Sequence, residues 1–148
     1  MSEILNDAIK YVEKAKNALL FIMKKNSKTK KTNINAFLVN ETNIYFIVNK
    51  YNTDICKIKD YSKAGLYFEN DLQSCDIFKN ITVIGELSEI LLGKEFYNIL
   101  KIMINRHDIV RRYIKNGLLE EYSIYKLKPE FIRLTDYIET LEEIKKII

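Results

Sequence analysis

Between Ile34 and Val48 two runs rich in β-branched and aromatic residues, Ile34-Asn-Ala-Phe-Leu-Val39 and Ile44-Tyr-Phe-Ile-Val48, stand on either side of Asn40-Glu-Thr-Asn43. Such runs favour a pleated, half-buried surface, and Asn tolerates positive φ and bonds its own backbone. The pair therefore reads as a β-hairpin with four turn residues. A hairpin exposes two edges and one apolar face, so the chain must supply further strands or helices to cover them. It does. Ala18-Leu-Leu-Phe-Ile-Met23, Ala64-Gly-Leu-Tyr-Phe-Glu69 and a long run from Ile77 to about Ile90 have the same character, as do Tyr122 to Leu127 and Phe131 to Leu134. Pro129 is expected to break the last two apart, and Gly85 to mark a bend or bulge in the long strand.

Helical spacing appears in four places. Ile4, Leu5, Ala8, Ile9 and Val12 form one stripe behind a capping Ser2. A short helix is expected from Asn52 or Thr53 to about Asp60, with Ile55 and Ile58 inward. After Gly93, the residues Phe96, Ile99, Leu100 and Met103 make a face, and Asp108 is placed to cap a continuation through Ile109, Val110, Tyr113 and Ile114 that stops at Gly117. Thr135 or Asp136 is expected to cap a last helix carrying Ile138, Leu141, Ile144 and Ile148 on one side. The expectation is α+β, mainly β, with residues 1–148 as one domain: about six antiparallel strands in a closed or nearly closed small barrel, with flanking helices.

Composition narrows the function classes. At 148 residues, 47% hydrophobic and 30% charged, the chain resembles an ordinary globular protein. No apolar run has the length of a membrane span, and the acid in Met1-Ser2-Glu3-Ile4 stands where a secretory signal would carry Lys or Arg, so a cytoplasmic protein is expected. Cys56 and Cys75 form no C-x-x-C pair, and with His107 as the one histidine a transition-metal site would lack nitrogen ligands. The four glycines, Gly65, Gly85, Gly93 and Gly117, make neither a dinucleotide fingerprint nor a P-loop. No serine sits in a nucleophile elbow. The basic run Lys24-Lys25-Asn26-Ser27-Lys28-Thr29-Lys30-Lys31 could meet nucleic acid, but a polar connection between strands explains it as well.

The order from Tyr45 to Phe68 is informative: a strand, a polar turn, a short helix carrying Lys57-Ile-Lys-Asp60, and a strand reading Gly65-Leu-Tyr-Phe68. Ile81-Thr-Val-Ile-Gly-Glu-Leu87 follows, and the C-terminal part contains Tyr125-Lys-Leu-Lys-Pro-Glu-Phe-Ile-Arg-Leu134. This order, from about Asn17 to Tyr137, resembles the pyridoxamine 5′-phosphate oxidase-like family, the FMN-binding split barrels. The resemblance implies a six-stranded antiparallel split barrel and a homodimer with FMN in each of two clefts between subunits. It also implies oxidoreductase chemistry on a small-molecule acceptor. The isoalloxazine ring would lie against Asn35, Ala36 and Phe37 and against Ile47 and Val48. Lys79 and Asn80 match positions that reach the flavin from the partner subunit.

In that family the phosphate turn commonly reads Ser-Arg-Lys or Ser-x-Lys; here the matching positions are Asn52, Thr53 and Asp54. A carboxylate beside a dianionic phosphate is repulsive. Asn52 and Thr53 retain hydrogen-bonding groups, and Lys50 or, preferably, Lys57 would supply the missing cation. The alternative is a non-enzymatic relative with a weakened phosphate site that binds haem or another ligand, with His107 as a candidate ligand or proton donor. Tyr45, Phe46, Tyr67 and Phe68 could stack on a planar ligand, but at strand spacing such aromatics are more often core.

Overall fold

The computed structural model describes residues 2–15, 18–22, 31–50, 63–69 and 78–136. Helix α1 (Ser2–Lys14) precedes strands β1 (Ala18–Ile22), β2 (Lys31–Ile34), β3 (Phe37–Asn40), β4 (Asn43–Asn49), β5 (Lys63–Glu69) and β6 (Phe78–Ile90). Helices α2 (Lys94–Arg106) and α3 (Asp108–Lys115) follow, then a single 3₁₀ turn at Leu119–Glu121 and strand β7 (Tyr122–Asp136). The expected helix after Asn52, the last helix, the basic run before β2 and both cysteines lie outside the described residues, apart from Lys31 at the start of β2.

All seven strands form one antiparallel sheet in the order β2-β1-β5-β6-β7-β4-β3. Its two ends are consecutive in the chain. β2 pairs with β1, the chain passes through Asn35 and Ala36, and β3 pairs with β4. The run Ile34–Val39, expected as one strand, is thus a strand broken where it changes partner, and the sheet has seven strands where about six were expected. The Ile47 N–H donates to the Ala36 carbonyl across the break at 3.2 Å. The edges of Phe37 on β3 and Phe68 on β5 meet in the interior with ring centroids 5.2 Å apart, although these strands are not sheet neighbours. The sheet is therefore curled onto itself with a split at Asn35–Ala36.

Three local expectations are corrected. The β3–β4 hairpin pairs Asn40 with Asn43, leaving a two-residue loop, and the positive φ values fall on Glu41 (52°) and Thr42 (73°), not on the asparagines. Two-residue loops match the strand twist in mirror-image turns, and with both loop residues left-handed this one is of the type I′ kind, even with a β-branched Thr. Second, β7 runs unbroken through Pro129, with Thr135 and Asp136 inside it. Pro129 faces Gly85, where the β6–β7 register shifts by one residue, so proline's missing N–H falls at a bulge. A Cβ on Gly85 would collide with the Lys128 carbonyl, which explains the glycine. Third, the residue at the α3 N-cap position is His107, and Asp108 is the first helical residue, 3.5 Å from Arg111.

The curled sheet encloses one core and carries a second on its outer side. Inside lie Leu20, Ile34, Phe37, Phe46, Val48, Leu66, Phe68, Ile81, Val83 and Leu127, closed by Ala8, Tyr11 and Val12 of α1 and by Ala15 just after it. Outside, α2 lays Phe96, Ile99, Leu100 and Met103, the face expected from spacing, on Ala36, Leu38, Tyr45, Ile47 and Ile124.

Candidate functional site

The two long strands β6 and β7 set the geometry. Ile34, Ala18, Phe68, Ile81 and Leu134 form one lateral row across five strands. Asn35 and Asn80 each follow that row by one residue in the same direction, so they share one end of the sheet, with Lys79 next along β6. At the other end, Ile47, Ile124 and Ile90 form a row. Lys50 lies beyond it, its N–H donating to the Glu121 carbonyl at 2.8 Å. Asn80 and Ile90 are ten residues apart on one strand, roughly 30 Å of chain at 3.3 Å per residue. Ala36, next to Asn35, accepts from Ile47 of that second row, three residues before Lys50, so Asn35 sits where the curled sheet closes, with β4 and Lys50 on one side and Asn80 across β1 and β5 on the other.

The expected ring-contact residues divide between the two cores. Phe37 and Val48 are buried in the interior, while Ala36 and Ile47 are buried beneath α2 and α3. Asn35 and Lys50 have exposed side chains and Asn80 is half-buried. What this region offers a flat ligand is therefore the Asn35 amide and the backbone at the split, since its apolar side chains are already packed. Asn52, Thr53 and Lys57, expected at the phosphate, lie outside the described residues, as does Asp54.

His107 is held inside the fold. Its Nε2 lies 2.8 Å from the Phe37 carbonyl oxygen, and because a carbonyl only accepts, that nitrogen carries the proton. The ring also stands 6.2 Å from the Phe37 ring. The side chain ties the α2–α3 junction to β3, next to the split.

A polar cluster that sequence reasoning missed anchors the start of α2. Glu95 accepts from the Tyr45 hydroxyl at 2.9 Å and from the Lys126 ammonium at 3.0 Å. Tyr45 and Lys126 are direct cross-strand partners, so β4 and β7 present both donors to one carboxylate. The Lys126 and Tyr45 hydrogen bonds hold the Glu95 carboxyl below its ordinary range. Burial, then Glu95, raises the Tyr45 phenol. Glu95 and Lys126 are far apart in sequence, and the only available signal was the strand register, which is itself a tertiary property.

Tyr67, Tyr113 and Tyr125 do not supply an acid–base group at neutral pH. Burial first, and then a neighbouring group, pushes Tyr67, Tyr113 and Tyr125 up to about 12. A general base works best with a pKa near the operating pH. Phe46 and Phe68 are fully buried and Tyr45 lies in the outer core, so these aromatics pack the protein rather than face a ligand. Among the described residues no helix is long and apolar enough to cross a membrane.

No family model matches the sequence, and no curated protein matches it. Solved structures do. A Clostridium acetobutylicum protein related to general stress protein 26 of B. subtilis, of the pyridoxinephosphate oxidase family, superposes with TM-score 0.67 at 15% identity, covering 97% of this chain and 99% of that one. HutZ, the haem storage protein of Vibrio cholerae, gives TM-score 0.67 at 12% identity over 87% of this chain and 92% of that one. An Agrobacterium tumefaciens protein of unknown function gives TM-score 0.72 at 14% identity over 92% of this chain, which spans only 57% of that protein's length. At these identities the likeness is one of fold: an antiparallel curled sheet with helices, of the split-barrel kind.

Proposed function

We propose that this chain is a cytosolic, flavin-binding split barrel of the pyridoxamine 5′-phosphate oxidase-like type, a homodimer that holds FMN between its subunits and passes electrons to a small acceptor. The observation that carries this reading is the sheet order with its broken closing strand, matched in fold along almost the whole length of a pyridoxinephosphate oxidase-family protein. Flavin supplies the redox chemistry when bound, and the protein supplies position and polarity. Asn35 and Lys50 of one subunit would hold it, with Lys79 and Asn80 from the second copy. Asn52, Thr53 and Lys57 complete the phosphate contacts in this reading. Asp54 opposes them, so FMN binding is weak for the fold.

The second reading, a haem-binding relative, is favoured by the likeness to HutZ. Against it, His107, the one histidine of the sequence, already donates through Nε2 to Phe37, and coordination through that nitrogen would cost the bond.

Titration with FMN, riboflavin and haemin separates the readings. The flavin reading predicts saturable quenching of FMN fluorescence and weaker binding of riboflavin, which lacks the phosphate. Lys50→Glu should weaken FMN roughly tenfold, the effect of one charge-assisted contact, and leave riboflavin unchanged. A protein that ignores both flavins but gives a saturable Soret band with haemin would overturn the flavin reading.

A further inference from the structure

The charge of this molecule is placed unevenly. The chain has 24 basic and 20 acidic residues; six and two of these fall between Lys94 and Lys115, so the rest of the chain carries 18 of each. The formal net charge of +4 is thus matched by the α2–α3 pair alone. The basic run Lys24–Lys31, offset in number by acids elsewhere, lies outside the described residues save for Lys31.

The helical period gives these charges a direction. Phe96, Ile99, Leu100 and Met103 face the sheet. At 3.6 residues per turn the opposite stripe is Lys94, Asn98, Lys101 and Asn105, all exposed. α3 buries Val110 and exposes Arg111, Arg112 and Lys115. The two carboxylates of the pair are both engaged: Glu95 by Tyr45 and Lys126, and Asp108 by Arg111 at 3.5 Å. Arg106 turns away to Glu13 of α1 at 3.2 Å. Beside the exposed Arg111–Asp108 pair and the tied Glu95, the helices present to solvent Lys94, Lys101, Arg112 and Lys115, the Asn98 and Asn105 amides, and Tyr97, which is 56% exposed. Tyr97 stands three residues after Lys94 and four before Lys101, so the ring lies between two ammonium groups on one helix face.

We infer that the outer face of α2 and α3 binds single-stranded nucleic acid. Cations spaced along a helix track phosphates, amides hydrogen-bond to phosphate or base edges, and an exposed aromatic between the cations offers a stacking platform. A lipid surface shares the charge requirement but favours a continuous apolar stripe on the docking face, and this stripe is Lys and Asn throughout. The inference is independent of the flavin reading, since it uses no residue assigned to the cofactor.

The test is fluorescence anisotropy of the full-length protein with a labelled single-stranded oligonucleotide. Four phosphate contacts predict a log–log salt slope of about −3, or about 50-fold weaker binding between about 50 and about 200 mM salt. The double change Lys101→Glu with Arg112→Glu abolishes binding, whereas Lys128→Glu, an exposed charge on β7, leaves it unchanged. Tyr97→Ala weakens binding about tenfold without changing the salt slope. Absence of binding at the lower salt, equal binding by the double variant with its circular dichroism intact, or binding to anionic phosphatidylglycerol vesicles but not to the oligonucleotide would each overturn it.

Discussion

Tyr45 and Phe46 are neighbours on β4 and belong to different cores. Phe46 points into the curled sheet, fully buried, with its ring stacked 5.9 Å from Tyr125. Tyr45 points outward beneath α2 and spends its hydroxyl on Glu95. The inner core draws on all seven strands and α1, and its packing is apolar. The outer core rests on a few strands, two helices and polar ties: Tyr45–Glu95–Lys126 and His107–Phe37. The inner core therefore defines the fold, while the outer core attaches the helices to it. Apolar burial scales with area and needs no direction, whereas a helix laid on a sheet must also be fixed in angle, which hydrogen bonds supply.

The sharpest way to break this comparison is Phe46→Ala, which should cost about 4 kcal/mol, as deletion of a buried ring does. Denaturant unfolding should shift as one transition, and amide exchange should quicken in every strand together. Met103→Ala, equally buried but in the outer core, should cost about 3 kcal/mol. Here exchange should quicken first in α2 and α3 while the β5–β6 amides stay protected; uniform loss of protection would mean that the two cores are one cooperative unit. Gly85→Ala tests the bulge that lets β6 and β7 bend. Because its Cβ meets the Lys128 backbone rather than a movable side chain, destabilisation of about 2 kcal/mol is expected by chemical denaturation.

The smallest effect is electrostatic. Glu95 has a lowered carboxyl pKa, so its contribution is present above the ordinary value of 4.5 and is lost as pH falls through its folded value. The group is half exposed, which limits the contribution to under about 1 kcal/mol. Glu95→Gln should lower stability at neutral pH and flatten that part of the acid dependence; a variant whose stability follows the wild-type acid curve would show that the cluster is not coupled to folding.

Much of the inner core was legible because strand runs, the Gly85 irregularity and the α2 face are local patterns. The errors fell where a local pattern met a tertiary requirement. Ile34–Val39 reads as one strand until its two halves are seen to pair with β1 and β4, and partner choice leaves no mark on a short apolar run. Pro129 breaks a strand in general, but not opposite a glycine at a bulge. Glu41 and Thr42 take left-handed backbone because the register leaves two loop residues, whatever their preference. The outer core was legible only from the helix side: Phe96 to Met103 announced a face, while the Tyr45–Glu95–Lys126 tie joins residues that no spacing rule connects. Of the residues expected at the cofactor, Asn35 was read inside a continuous strand, and nothing in the short apolar run signalled that the chain would break there and close the curled sheet against β4.

The most direct test of the central claim, that this split barrel holds a flavin between two copies of the chain, is the absorbance spectrum and solution mass of the purified protein after incubation with FMN and removal of the excess. The account predicts a dimer retaining a two-banded flavin spectrum that approaches one FMN per chain as FMN is raised. A monomer, or a dimer that stays colourless at saturating FMN, would contradict it.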